Sequence, residues 1–565
     1  MFEFAKDEKF WENVRTSDDY ARLRDDLKSE YDKYFNGKII APRTVFDVIG
    51  NNDHESYFRL INQLEYSALM ALIYPDNEEY YKNLLQVVWA YCNEYSWAPL
   101  GHYNDYYQRK PSDYDPGLLD IFACSVGFSM AEIKHLFKER FPRLLVDRMT
   151  AEIRRRTIEP YVNRKFFWET HDNNWTAVCN GSVGAVLMYE APDLYYKYQK
   201  RLHDAMECYL APYRDDGMCV EGTAYWGFGF GFFCNYAMLE REFTNGEVDW
   251  FKRDKVKAIS TYIQRMYLQP KVVASYSDCN FKEVYWYGLA HMLRQVYPND
   301  VQKLPMLDVN LFSYVHFSFG LRTFLYFKQE NVTDKLENGS FYAENCAYFT
   351  KRTDNYGFTC KGGDNGESHN HNDVGSFILA RNNKQILCDL GYPGPTAKTK
   401  NYHGNDRYSN FNPSALSHNI PFFNGIPQDG VRREIVFAKY NKENDSVSMD
   451  IKAGYGVETL EKAERIFYFK DDGIIMHDKF RFNAPTIATE RFVTTTKPIV
   501  DGNKVTLDDT VLEGSRNSVL KVIEVPYSAQ FPDENGSYDQ ICYCLDYTLY
   551  KGERNFELKI SFLNK

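Results

Sequence analysis

Residues 366–377 read Gly-Glu-Ser-His-Asn-His-Asn-Asp-Val-Gly-Ser-Phe and place His369, His371 and Asp373 at i, i+2 and i+4. In an extended segment that spacing sets all three side chains on one face, because the strand period is two. Histidine is the usual metal ligand and the usual general base near neutral pH. The competing reading is a polar, solvated turn entering a strand. Downstream stand Asp389, then Tyr392, Tyr402-His403, Arg407-Tyr408 and Ser417-His418-Asn419. Histidines with a carboxylate suit a zinc-class ion. A simple hairpin through Asn382-Asn383 pairs Asp389 with Ser376, some distance from His371. Local spacing therefore assembles the set only if the segment before Gly375 curls back.

Two further clusters have functional and structural readings. In Asn173-Asn174-Trp175-Thr176-Ala177-Val178-Cys179-Asn180-Gly181, an Asn pair before an apolar-periodic run caps a helix. The alternative is an amide that binds a substrate carboxylate at the helix N-terminus, where the dipole favours an anion. The second cluster, residues 216–231, holds Glu221, Gly222 and Tyr225 followed by Gly227, Gly229 and Gly231. No strand precedes these glycines and no Gly-Lys-Ser/Thr follows, which excludes a phosphate loop. They let a wall approach something closely, and they leave Tyr225 with little steric cover.

The elements that must position these residues fall into two halves. Residues 1–330 read as helical. Tyr81, Leu84, Leu85 and Val88 form an amphipathic stripe, and Asp115-Pro116 reads as a cap with proline at N1 ahead of Leu118, Ile121, Phe122 and Val126. Similar segments recur near 143–160, 175–190, 194–210, 222–242 and 250–268. Helices of similar length with short connections predict antiparallel hairpins in a bundle or toroid. Residues 331–565 alternate in short runs, among them 375–381, 384–390, 473–482, 488–495, 504–507 and 556–562, which predicts an antiparallel β-sandwich. The expected architecture is α+β and multidomain, with a concave site at the junction.

Composition narrows the function. Apolar residues are 44% and charged residues 26% of 565, an ordinary globular balance. A net charge of −11 argues against nucleic acid, and the one basic run, Arg154-Arg155-Arg156, reads as a solvated helix face. Aromatic residues reach 16%; such rings serve as stacking platforms for sugars, or simply as core. The longest apolar run, residues 68–74, is too short to span a membrane. The first ten residues lack the apolar region of a signal peptide, and the twelve cysteines have no CxxC pair. They read as reduced, buried thiols. The expectation is a cytoplasmic protein, or a secreted or periplasmic one if a leader is missing from this chain. Oligomeric state is left open, a homodimer included.

At these motifs the chain resembles the heparinase II/III-like polysaccharide lyases, in which an N-terminal (α/α) toroid or incomplete helical barrel precedes a C-terminal antiparallel β-sheet domain. His-x-His-x-Asp-x-Gly-x-Phe from His369 to Phe377, the acidic residue eighteen positions after the second His, and His418 carry the likeness. Glu221-Gly-x-x-Tyr225 matches the family's catalytic tyrosine motif, and Asn174-Trp175 matches more loosely, with Asn180 a rival for the same role. The resemblance implies elimination on a uronic-acid glycan. His369 would be base or acid, Tyr225 the proton-shuttling phenol, and Asn174 or Asn180 the group that neutralises the substrate carboxylate. His371, Asp389 and His418 would hold a structural zinc ion. Glu221, Tyr392, Tyr402, His403 and Arg407 would line sugar subsites, and Asp373 would support the histidine face. The rivals are a glycoside hydrolase acting on uronides, which needs a carboxylate pair, and an inactive glycan-binding protein.

Overall fold

The computed structural model describes residues 3–36, 38, 40–44, 54–110, 115, 117–280, 282, 286–313, 316–398 and 406–563. Apolar stripes become helices where spacing predicts them. Tyr81 to Val88 lie on the helix Glu78–Cys92, capped by Asn77, whose side chain accepts from the amides of Glu79 and Tyr80 at 3.0 and 3.1 Å. The expected cap at Asp115 is displaced. The helix Ile121–Phe137 starts at Asp120, which accepts from the Ala123 amide at 2.6 Å. Asp115 is instead paired with Arg109 and Arg164, both at 2.7 Å, so ion pairing claims the carboxylate. Pro116 lies outside the described residues.

Arg156 corrects the solvated-face reading of the basic run. It lies in a π-helical turn, Arg154–Ile158, and is buried against Glu152 at 2.7 Å. The helix Asn174–Glu190 is buried on every side because it packs among Ile121–Phe137, Pro192–Leu210 and Gly231–Phe243. The last helix of this half is Phe317–Tyr326, and a short antiparallel hairpin, Tyr267–Gln269 with Val272–Val273, interrupts the run.

From Gly339 onward the named strands pair antiparallel in three sheets. Five sequential strands (Gly339–Ala343, Tyr348–Arg352, Gly357–Lys361, Phe377–Arg381 and Lys384–Leu387) form the first. An eight-stranded sheet centred on Leu460–Lys470, Gly473–Phe482 and Asn555–Phe562, and a four-stranded sheet containing Ala488–Thr494 and Asp539–Leu549, follow. The alternating burial of Leu460–Lys470 is the signature of a strand with one wet face.

The strands Gly357–Lys361 and Phe377–Arg381 of the five-stranded sheet are buried on both faces. Along Phe377–Arg381 the period of two divides the side chains: Ile378 and Ala380 join the helical core, while Phe377 and Leu379 join the β core. One strand thus locks the two halves together. Its hairpin turns through Asn382 and Asn383 at φ +52° and +59°, which matches a primed turn. A bulge between Leu379 and Ala380 shifts the pairing by one residue from the simple register expected, and the strands are shorter than the expected runs, Phe377–Arg381 and Lys384–Leu387.

Candidate active site

The segment before Gly375 does curl back. No strand covers residues 366–376, so the predicted single histidine face is replaced by a compact loop. His369 sits at φ +56°, a left-handed conformation costing about 1–2 kcal/mol for a residue with a Cβ. Arg407 holds it there, donating from Nη2 to the carbonyls of His369 and Asn370 at 3.0 and 2.9 Å. Buried Lys361 donates to Asn370 Oδ1 at 3.1 Å and pairs with Asp373 at 2.8 Å. Asp373 therefore faces Lys361, not the histidines: a buried carboxylate needs its countercharge more than a shared strand face.

The organising group was not evident in the sequence. Asp278, almost fully buried, lies 2.9 Å by Oδ2 from Nδ1 of His369 and 3.3 Å by Oδ1 from Nε2 of His371. Arg407 completes it with bonds of 3.0 Å to Oδ2 and 2.6 Å to Oδ1. Burial pushes the Asp278 carboxyl up, but its bonds to His369, His371 and Arg407 outweigh that and hold it well below the usual range. Two glycines at positive φ let the chain in beside it. A Cβ on Gly222 would meet Cys279 Sγ at 2.4 Å, and one on Gly391 would meet the Cys279 carbonyl at 1.9 Å. A polar Ser277-Asp278-Cys279-Asn280 run inside the helical half was the only sign in the sequence.

Tyr225 stacks on His369 with ring centroids 3.8 Å apart and planes at 21°. It stands just before the π-helical turn Trp226–Phe230. Gly229 in that turn allows the close approach its composition suggested: a Cβ there would meet Asn174 Cβ at 3.0 Å. Asn174 donates to Glu221 Oε2 at 3.1 Å, and the same oxygen is 3.8 Å from His369 Nε2. Burial pushes the Tyr225 phenol well above its ordinary value, with Asp278 and Glu221 adding to it. Burial likewise raises Glu221, against the pull of His369. Asn174, Tyr225, His369 and Arg407 line one cleft of about 690 Å³, walled by both halves of the chain.

His371, Asp389 and His418 converge as expected, all buried, with one ligand atom from each within 4.8 Å of the others. Asp389 is 3.1 Å from His418 Nδ1 and 3.9 Å from His371 Nδ1, and Nε2 of His418 has no hydrogen-bond partner among the described residues. Burial pulls His371 down; burial acts the same way on His418, but Asp389 draws it up. A bound metal would take both rings in the neutral form. The donor set and its orphaned nitrogen fit a zinc ion.

The remaining expected site residues divide: Arg407 and Glu221 stay with the cluster, and Asn180 does not. Asn180 is fully buried in its helix, with Nδ2 bonded to the Thr176 carbonyl at 2.8 Å. It is not a cleft residue, because six helical positions place it almost two turns below Asn174. Tyr392 adjoins the Asp278 segment, its amide donating to the Cys279 carbonyl at 3.0 Å, outside the described lining of the cleft. Arg407 lines the cleft, yet its guanidinium is committed to Asp278 and two carbonyls. Glu221 lines an adjoining cavity of about 420 Å³. Tyr402 and His403 lie outside the described residues.

No protein-family model matches the chain, and no curated protein does. Solved structures do. A heparinase III matches at 12% identity over 89% of this chain and 76% of its own, with a TM-score of 0.63. The heparan sulfate lyase of Pedobacter heparinus matches at 13% over 100% and 86%, TM-score 0.61. The chain has the heparinase-like polysaccharide lyase fold. A chondroitin AC lyase of Streptomyces coelicolor A3, solved with chondroitin sulphate, aligns at 10% over 99% and 82%, TM-score 0.56. The heparinase-like fold unites the (α/α) toroid and the β-sandwich expected from the sequence, and here the cleft draws its walls from both.

Proposed function

We propose that this chain is a lyase that cleaves uronic-acid-containing glycans by β-elimination. The observation that carries the reading is the stack of Tyr225 on His369 with Asn174 nearby in one cleft. The solved relatives in this fold include lyases named for heparan sulfate and chondroitin, which supports an anionic glycan as substrate.

Elimination removes the C5 proton of the uronate and expels the 4-O-glycosidic oxygen, leaving a C4–C5 double bond. The carboxylate beside C5 must absorb the charge that develops. The second N–H of the Asn174 amide is available to it, and an oxyanion donor of this kind is worth roughly 3–4 kcal/mol. His369, its Nδ1 occupied by Asp278, presents Nε2 as base. The raised phenol of Tyr225 stays protonated and donates to the departing O4 as His369 takes the C5 proton. Positioned proton transfer contributes on the order of 10²–10⁴-fold. Zinc on His371, Asp389 and His418 would cross-link the loop behind His369, a structural role.

The test is ultraviolet absorbance of the conjugated product during incubation with heparan, chondroitin, hyaluronan, alginate and ulvan and their oligosaccharides. A rising signal is expected on at least one. New reducing ends without absorbance would mean hydrolysis and remove the lyase reading; binding without either product would mean a glycan-binding protein.

A further inference from the structure

Three histidines line the cleft, His102, His316 and His369, and each turns Nδ1 toward a buried carboxylate. The contact is a hydrogen bond for His102 and His369 and a looser ion-pair approach for His316, whose Glu65 also reaches the cleft wall. Nδ1 of His102 is 2.5 Å from Asp120 Oδ2, Nδ1 of His316 is 3.4 Å from Glu65 Oε1, and Nδ1 of His369 is 2.9 Å from Asp278 Oδ2. The three carboxylates are buried and come from unrelated elements: the Asp120 cap, the helix His54–Ile73 and the segment carrying Asp278. Asp120 is fixed twice, since its other oxygen caps the Ala123 amide at 2.6 Å.

Each imidazole also has an aromatic companion in the cleft. His102 lies 4.9 Å from Tyr106 and 5.6 Å from Trp175, His316 lies 5.6 Å from Phe228, and His369 is stacked on Tyr225. A core histidine satisfied by its carboxylate needs no cavity. His102 and His316 keep 18% and 12% of their side chains exposed on the cleft wall. With Nδ1 turned to a buried carboxylate, Nε2 is the nitrogen left to a ligand. A sugar ring offers what this pairing recognises: an apolar C–H face for the aromatic ring and hydroxyl or carboxylate oxygens for the imidazole. Among the described lining residues Arg407 is the one Lys or Arg, and it is engaged by Asp278. Histidine must then supply the polar contacts that arginine supplies elsewhere.

We propose that His102 with Asp120, and His316 with Glu65, are two further sugar-binding stations of the cleft, each presenting Nε2 beside an aromatic face to a hydroxyl or carboxylate of a uronate-containing glycan. The proposal rests on the glycan-lyase reading for the identity of the ligand, and on the repeated geometry for the stations themselves. Glu65 is a positioning residue that acts through His316.

The test is calorimetry with heparan, chondroitin, hyaluronan and alginate hexasaccharides on a Tyr225→Phe parent, in which turnover is suppressed. His102→Gln and His316→Gln are each expected to raise Kd about tenfold or more for the probe the parent binds. Adding Glu65→Gln to His316→Gln should cost little more than His316→Gln alone, since the carboxylate acts through the ring. A station is overturned if its variant binds every probe within twofold of the parent. Elimination by the wild-type protein with both variants binding normally would remove the stations and leave the lyase reading. Weakened binding in the variants, with no elimination by the wild-type protein, would keep the stations and remove that reading. A parent that binds none of the probes removes both.

Discussion

Asp278 joins His369 to His371: one carboxylate oxygen lies 2.9 Å from Nδ1 of the first ring and the other 3.3 Å from Nε2 of the second. The proposed acid–base histidine and a member of the proposed metal set therefore share one anchor, which Arg407 clamps from the other side. Groups that orient a catalytic or ligating histidine typically carry 10–100-fold of its effect. Asp278→Asn keeps the shape and replaces an acceptor with a donor. Its kcat on the glycan identified should fall about 10–100-fold, with KM changing less. A rise in KM with kcat unchanged would mean Asp278 serves binding, and a fall in kcat matched by loss of the folded fraction in thermal melts would mean it serves folding.

Glu367 predicts a pH signature in stability. It lies where the main cleft meets the adjoining cavity, and burial, reinforced by Asp364 against the pull of Lys361, pushes its carboxyl up to about 7. The folded chain thus holds a proton that the unfolded chain releases at about 4.5. The stability this gives is fully present below the unfolded value and is lost as pH rises through about 7, a change on the order of 3 kcal/mol. Glu367→Gln cannot ionise, so it should gain on the wild-type protein between pH 5 and pH 8 in thermal melts. Parallel pH profiles for the two proteins would refute the assignment.

Much of this was legible, and the misses share a cause. His369, His371, Asp389, His418, Tyr225 and Asn174 stand in short motifs whose residue types are rare in combination, and the fold brings each group together. The texture change from helical to alternating periods located the two halves, because each period reflects one local geometry. Asp278, Asp120 and Glu65 were invisible because their meaning lies in contacts across 91, 18 and 251 residues of chain. Asn180 looked equivalent to Asn174 because periodicity gives the face of a helix but not how far along it the cleft reaches. The shared face that an extended 366–376 would give is absent, and the curl-back that the site needs is present, because Arg407 and Lys361, both distant in sequence, over-determine a loop.

Arg465 should bear on both ends of the histidine-bearing region. Fully buried, it pairs with Asp478 at 2.6 Å and Glu490 at 2.8 Å, and donates to the carbonyls of Gly375 and Asn419 at 2.9 and 2.6 Å. Those carbonyls sit two residues after Asp373 and one after His418. Arg465→Met removes the cation and strands two buried carboxyls, so the expected loss is about 3–5 kcal/mol, read as a lower urea midpoint at pH 7. A loss under about 1 kcal/mol, the level of an exposed ion pair, would show that the carboxyls accommodate themselves without Arg465.

The metal set carries the last prediction. His371, Asp389 and His418 bring two imidazoles and a carboxylate together in a buried site, so a bound ion should act as a cross-link between the loop before Gly375, the segment after Leu387 and the turn before Asn419. Elemental analysis should find one zinc per chain. A ligand held at 1,000 times its Kd adds about 4 kcal/mol to stability, so dipicolinate should lower the melting temperature of the wild-type protein. Asp389→Asn should lose the metal and melt at one temperature with or without chelator. Turnover should fall with chelation only as far as His369 loosens, and readdition of zinc should restore both. If chelation abolished turnover while the melting temperature and the His369 side-chain resonances stayed unchanged, the ion would belong to the chemistry and not to the scaffold.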